Sequence, residues 1–371
     1  MDRFDVAVVG AGAMGSAAAL SLARRGRSVA LVEQFEPGHA RGASHGAVRI
    51  FRLSYPDAMY VRLAQRALPV WRRLEEEAGE RLLVTTGGID SGPLVVECGR
   101  ALADVGVRHE WLSRAEAAER YPAIDFGGLE RVLFQPDGGV ALAERTVVVQ
   151  VRLARSHGAE VRAGAAVRVI RGGREGHVVE TGADELVADV VVLTPGPWAG
   201  PLLTEVLGRP VPVRPTLQMV AHFTPRDSAA VEAMPTFVEW VGPNLVHYAV
   251  PPVGVAPGVK MGDHDPGPEI DPDAGPFEVD PARLEPVAVY AARRLPGVAP
   301  EVVAPETCLY SLTPDEDFIL DRVGDVVVGA GFSGHGFKFV PLIGEILADL
   351  ATGIDPGLPV RFSIDRPRLR A

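Results

Sequence analysis

The sequence predicts a two-domain α+β protein, with a Rossmann-like dinucleotide-binding domain assembled from separated pieces of chain and a second, mainly antiparallel-sheet domain. Three observations carry this. A glycine-rich turn with the spacing GxGxxG lies between a strand and a helix near the N-terminus. A second strand, glycine-rich turn and helix pattern returns at residues 325–352. Between them, residues 210–305 are rich in proline and glycine and carry alternating strands such as QMVAHF and GVKMG.

In order along the chain, residues 4–9 (FDVAVV) read as a buried strand, GAGAMG as the turn, and the run to Arg25 as an amphipathic helix. SVALVE, ending at Glu33, completes a βαβ unit. Residues 35–56 are turn-rich and polar, and a helix pattern spans Met59 to Glu77. Signals are mixed from Arg81 to Val140, with a helix over 94–104 and strands over 129–133. A second αβ pattern opens at Leu142, with a helix to Ser156 and strands at 159–164, 167–170, 177–180 and 186–193. The implied boundaries are 1–81, 141–208 and 312–371 for the dinucleotide-binding domain, and 82–140 and 209–311 for the second. Two cores are what 371 residues lead one to expect.

Hydrophobic residues make up 47% and charged residues 23%, an ordinary globular balance. A formal charge of −11 argues against nucleic acid or anionic membrane as partners, and the basic run from Arg361 to Arg370 reads as a solvated tail. Two cysteines, Cys98 and Cys308, make no disulfide framework, so a reduced, cytoplasmic setting is expected. The apolar stretch 6–22 is broken by glycines and flanked by mixed charge, unlike a signal peptide or a membrane span. Of 37 basic residues only Lys260 and Lys338 are lysines, and Asn244 is the single asparagine. Positive charge is otherwise spelled as arginine, so the two ammonium groups become candidates for chemistry: a lysine pKa shifts readily with burial.

Gly10, Gly12 and Gly15 permit the tight turn, the close approach of backbone to a pyrophosphate, and helix-on-strand packing. The helix start adds N–H groups and the positive end of a dipole. Glu33 closes the second strand, where a carboxylate can accept from ribose hydroxyls. The late strand and loop VVVGAGFSGHGFKF suits an extended flavin cofactor completed within the same sheet, which favours FAD over NAD.

Three segments in order, GASHGAVRIFR (42–52), TCLYSLTPDEDFILDR (307–322) and AGFSGHGFKF (330–339), with the closing FSIDRP (362–367), resemble the monomeric sarcosine oxidase family, which includes N-methyltryptophan and pipecolate oxidases. The resemblance runs end to end. It implies a monomeric flavoprotein in which the sheet domain roofs the flavin ring, oxidising a small secondary amino acid with O2 and releasing H2O2. The family's flavin-bearing cysteine falls on Cys308, which implies covalent FAD. On its own residues Cys308 is a free thiol, most often a small buried hydrophobe, and a nearby cation would make it reactive. Cys98 has no such context and reads as structural.

By the same resemblance, His45 and Arg49 sit by the flavin ring, Arg52 and Lys338 hold the substrate carboxylate, and Lys260 activates oxygen. His264 matches an active-site histidine, and Tyr248 and Tyr310 line the substrate pocket. Cofactor contacts are implied at Ser44, Val167, Gly331, Gly334, His335 and Gly336, beside Gly10, Gly12, Gly15 and Glu33. The residue types suit these roles: a guanidinium donates two parallel hydrogen bonds to a carboxylate, and a fixed ammonium stabilises the anion formed when oxygen accepts an electron. Otherwise a loop arginine, or a histidine among Asp and Gly, is a surface group. There are departures. His247 replaces a family tyrosine, Phe237 and Trp240 stand where smaller or more flexible apolar residues are usual, and one residue is inserted between Tyr248 and Lys260. The aromatics are expected to fill the pocket and keep the substrate small. Competing readings are a dehydrogenase or cyclic-imine oxidase of the same family, and an FAD-binding sensor.

Overall fold

The strand Asp2–Val9 lies inside an eight-stranded sheet because its second half, Val6 to Val9, is apolar on both faces and buried. It pairs in parallel with Val29–Val32 on one side and Glu185–Leu193 on the other, and Val326–Ala330 runs parallel beside the latter. Glu160–Arg162 forms one edge; the hairpin of Val167–Gly173 and Gly176–Thr181 extends the other. The helix Ala13–Arg24 packs on Val340–Ala351 and Ala143–Ser156. Gly344 allows that approach, since a Cβ there would come within 2.6 Å of the Ala17 Cβ. This is a computed structural model, and it describes residues 1–369 other than 174, 183, 243, 244 and 266, so Asn244 and Arg370 lie outside the described residues.

A nine-stranded sheet is drawn from the other segments. Its order is Val298–Val302, Arg214–Pro225, Val259–Asp263, Val246–Val250, Thr236–Trp240, Gly88–Ser91, Val132–Gln135, Glu110–Leu112, with Glu306–Leu312 also on Arg214–Pro225. Pairing is antiparallel except between Thr236–Trp240 and Gly88–Ser91. Its core gathers Phe126, Phe223 and Phe237, whereas a separate core surrounds Ala13–Arg24, Ala58–Ala78 and Val340–Ala351. A small sheet of Val48–Phe51, Gly139–Leu142 and Leu83–Thr85 touches the larger one where Val48 and Val140 pack on Val250.

Three local expectations change. The strand expected over 129–133 runs at Val132–Gln135. A helix, Pro281–Arg294, interrupts the stretch read as sheet: Asp280 caps it by accepting from Ala282 N at 3.0 Å, Pro281 presets the first turn, and Leu284, Val287 and Ala291 form its buried stripe. Within the C-terminal basic run, Arg361 and Arg366 are held against the body of the protein, while Arg368 is exposed. Arg366 is 3% exposed and grips Asp315 with two hydrogen bonds of 2.7 and 2.8 Å, while Arg361 joins Asp57 to Asp317. Among the described residues no helix is long and apolar enough to cross a membrane, and no His, Cys, Asp and Glu cluster could hold a metal ion.

Candidate active site

The turn after the first strand holds Gly10 at φ +96°, where an added Cβ would sit 2.5 Å from the Thr194 carbonyl oxygen. At Gly15 a Cβ would meet the Gly10 oxygen at 1.8 Å, so the helix can approach its strand this closely only with glycine there. Glu33 is 4% exposed and accepts from Ala11 N at 2.7 Å and Phe35 N at 3.0 Å. It therefore fixes the glycine turn as well as facing the cleft. Ser44 Oγ accepts from Ala13 N at 3.0 Å.

Gly10, Gly12, Glu33 and Ser44, but not Gly15, line a cleft of about 400 Å³ that runs past Val167 and Thr194 to Arg49, Cys308, Ser311, Gly331 and Gly336. The Ser311 hydroxyl on this cleft is buried without a hydrogen-bond partner among the described residues. Such an orphan costs ~1–3 kcal/mol unless a ligand satisfies it. Glycine turns and an unsatisfied hydroxyl along one long cleft fit a dinucleotide cofactor.

A second cavity, of about 390 Å³, meets the cleft at Arg49, Cys308, Tyr310, Gly334 and Phe337, which line both. It gathers Arg52, Lys260, His264, His335, Lys338, Tyr248 and Tyr310; His45, Ser44 and Val167 lie on the cleft side. The junction is tight. Gly334, at φ +75°, leaves room for the Tyr310 ring, which a Cβ would strike at 2.4 Å.

Cys308, 8% exposed, sits on the Glu306–Leu312 strand with Arg49 Nη2 3.6 Å from its sulfur. Arg49 is aimed there by the carbonyls of Val48 at 3.0 Å and His45 at 2.6 Å. The His45 ring nitrogens face the Gly42 and Thr307 carbonyls, each at 2.8 Å, while burial and then Arg49 lower its pKa. Lys260 is 3% exposed; burial first and Arg49 second bring its pKa down to about 8, opposed by the Glu306 carboxylate 3.7 Å away. Burial lowers His264 to about 4, so it is neutral at pH 7, with Nδ1 3.2 Å from the Tyr310 hydroxyl. Lys338, 5% exposed, donates to the His335 carbonyl at 2.6 Å, and burial followed by Arg52 holds its pKa well below the usual lysine value. The Arg52 guanidinium lies over the Tyr55 ring at 4.6 Å and the Trp240 ring at 5.5 Å, and Nη1 meets Asp90 at 3.1 Å.

Two of the three expected aromatic fillers are absent from this cavity. Strand alternation sends Val238 and Trp240, with Val246, Tyr248 and Val250, to the cavity face and sends Phe237 and His247 to the other. Phe237 packs edge-on to Phe126, and His247 stacks on Tyr290 at 3.9 Å and pairs with Asp263. Cys98 is fully buried in the helix Val95–Val105. Sequence reasoning missed Tyr55, Asp90 and Glu306. Signals existed for two of them: an acid in the buried strand Gly88–Ser91 must find a partner, and Glu306 is two residues from Cys308 on one strand, hence on the same face.

The FAD dependent oxidoreductase (DAO) family profile matches residues 5–350. Over 382 aligned residues the chain is 34% identical to monomeric sarcosine oxidase of Bacillus sp. (strain B-0618), covering 99% of this chain and 97% of that protein. The chain belongs to the FAD-dependent oxidoreductase family, in its monomeric sarcosine oxidase branch. It is also 33% identical to peroxisomal sarcosine oxidase of Homo sapiens, over 98% of this chain and 96% of that one. Among solved structures, NikD, an unusual amino acid oxidase essential for nikkomycin biosynthesis, superposes in its open form with a TM-score of 0.84. That pair is 27% identical, with 98% of both chains covered. This chain is thus an FAD-dependent amine oxidase that oxidises amino acids.

Proposed function

We propose that this oxidase acts on a small secondary amino acid with molecular oxygen, releases H2O2, and carries its FAD covalently on Cys308 as a cytoplasmic monomer. The observation that supports this best is the meeting of two cavities at Cys308 and Arg49, with both lysines of the chain buried on the second. Gly10, Gly12, Gly15, Glu33, Ser44 and Val167 would hold the dinucleotide portion of FAD; Gly331, Gly334, His335, Gly336 and Cys308 would hold its ring end. The segments 1–81, 141–208 and 312–371 form the cofactor domain in this reading, and 82–140 and 209–311 the substrate domain. When bound, FAD accepts the electron pair of the substrate C–N unit and passes it to oxygen.

The chain's own residues prepare both ends of that exchange. Arg49 lies beside the Cys308 sulfur, the atom that would bond the flavin carbon. Arg52 and Lys338 take the substrate carboxylate, which fixes the amine-bearing carbon. Because Lys338 is pushed toward its neutral form, an arriving anion draws a proton onto it. His264, neutral at pH 7, and the Tyr310 hydroxyl offer the amine an acceptor and a donor. The Lys260 ammonium stabilises the anion formed when oxygen takes its first electron, and His45 with Arg49 frames the ring end of the cleft.

A second reading, a cyclic or bulkier N-alkyl amino acid, is favoured by one observation: with Phe237 and His247 turned away, valines and Trp240 are left as the wall. Anaerobic loss of visible absorbance across sarcosine, L-proline, pipecolate and N-methyltryptophan, followed by oxygen uptake and peroxide assay, separates the readings. A clear preference for N-methyltryptophan would overturn the small-substrate claim, and reduction without peroxide on reoxidation would make the protein a dehydrogenase.

A further inference from the structure

Behind the cavity wall, Asp90 has no exposed surface and lines neither cavity. Every neighbour it meets presents a donor. Arg52 Nη1 lies 3.1 Å from Oδ1, Gln135 Nε2 donates to Oδ2 at 2.9 Å, and the Ser54 hydroxyl donates to the same oxygen. Gln135 Nε2 also donates to the Ser54 oxygen, at 2.8 Å, while the Ser54 hydroxyl proton points to Asp90. Gln135 is itself locked: its Oε1 accepts from Leu53 N at 2.6 Å. Burial drives the Asp90 carboxyl up and Arg52 pulls it back; with three side-chain donors aimed at its two oxygens, we read it as the carboxylate.

Of the other basic groups lining the cavity, Arg49 turns to the Cys308 sulfur and Lys260 to Glu306, which leaves Lys338 beside Arg52 on one ring. Arg52 Cζ and Lys338 Nζ lie 4.6 and 5.4 Å from the centroid of Tyr55. Arg52 has a permanent anion behind it, and Lys338 has only a carbonyl, at 2.6 Å. Once the arriving carboxylate has drawn a proton onto Lys338, the three groups sum to one positive charge, which that single carboxylate neutralises. Elsewhere on the cavity lining, Asp57 and Asp317 share Arg361, so that cation is already matched.

Building on the reading that Arg52 and Lys338 receive the substrate carboxylate, we propose that Asp90 is a specificity-determining residue: by occupying Arg52 from behind, it limits the cavity to substrates with one carboxylate and excludes dicarboxylic secondary amines. It touches no substrate; it acts through Arg52.

The test is a binding ratio. Methoxyacetate and diglycolate are unreactive ether analogues of a mono- and a dicarboxylic secondary amine. Each is titrated into the FAD-loaded protein, and the shift in visible absorbance gives Kd. The unmutated enzyme is expected to favour methoxyacetate by about tenfold or more, the scale of one uncompensated charge. Asp90→Asn, and Asp90→Leu in case the amide variant fails to fold, should move the ratio toward diglycolate by about tenfold or more. A ratio unmoved within about twofold in a folded, FAD-loaded variant overturns this inference alone, provided Arg52→Gln and Lys338→Gln weaken methoxyacetate. If those two variants bind methoxyacetate undiminished, the carboxylate reading falls and this inference falls with it.

Discussion

Lys260 gives the oxygen reaction a pH dependence that can be worked out in advance. Burial and Arg49 lower its pKa to about 8, with Glu306 at 3.7 Å opposing them. The ammonium therefore prevails below that pH and is lost above it: ~90% at pH 7 and ~10% at pH 9 for a single site. If the charged form carries the rate, oxidation of the reduced enzyme should slow about ninefold between those two values. Lys260→Met removes the cation and keeps most of the volume, so the rate should drop about 10²-fold, the scale of losing one preorganised electrostatic group. What remains should be flat over the same range. The assay is stopped-flow mixing of substrate-reduced enzyme with oxygenated buffer across about pH 6.5 to 9.5, with anaerobic reduction as the control that suffers less. A wild-type oxidation rate that is level through pH 8, or a Met variant that matches it, would refute the reasoning.

Three further outcomes are expected. Acid precipitation should keep the yellow colour on the polypeptide, Cys308→Ser should release it to the supernatant, and Cys98→Ser should not; colour freed from the unmutated protein would sink covalent attachment. Carboxylate binding should take up a proton and weaken as pH rises, because Lys338 starts with a depressed pKa that the bound anion raises; an indicator-dye titration showing no uptake in the wild type would contradict this. Arg294→Met strips the partner from Glu239, a pair of side chains each 6% exposed and joined at 2.7 Å, so urea unfolding should show a loss of ~3–5 kcal/mol; a loss under about 1 kcal/mol would place that pair among the weak surface type.

What could be read from the sequence depended on whether the signal was local. The glycine turn, its strand and its helix lie within a few residues of each other, so Gly10 and Gly15 announce their conformational demands directly. Lys260 and Lys338 stood out because the rest of the chain avoids lysine. Asp90 carried little signal: its strand, GIDS, has one apolar side chain, and its partners Arg52, Ser54 and Gln135 come from two other segments that folding alone brings near. The misplaced aromatics have a different cause. Phe237 and His247 were judged by type, whereas the strand period assigns Phe237 to the face opposite Val238 and His247 to the face opposite Tyr248. Pro281–Arg294 was legible and overlooked, its cap and stripe being present in the letters. The C-terminal arginines were not, since only tertiary structure brings Asp57, Asp315 and Asp317 to them.

The position of Asp2–Val9 has a consequence for how this protein is made. It is made before the strands that flank it, and Val29–Val32 reaches one edge soon afterwards. The other edge waits for Glu185–Leu193, and Val326–Ala330 docks later still. The wall shared by the two cavities is divided in the same way, with Arg49 early and Cys308, Tyr310, Gly334 and Phe337 late. A nascent chain must therefore carry an open apolar strand edge until Glu185–Leu193 emerges, a template for wrong pairing. The seat proposed for FAD closes only after Glu306–Leu312 and Val326–Ala330 have emerged, so cofactor capture waits for them, and Arg361 and Arg366 then latch onto acids laid down earlier.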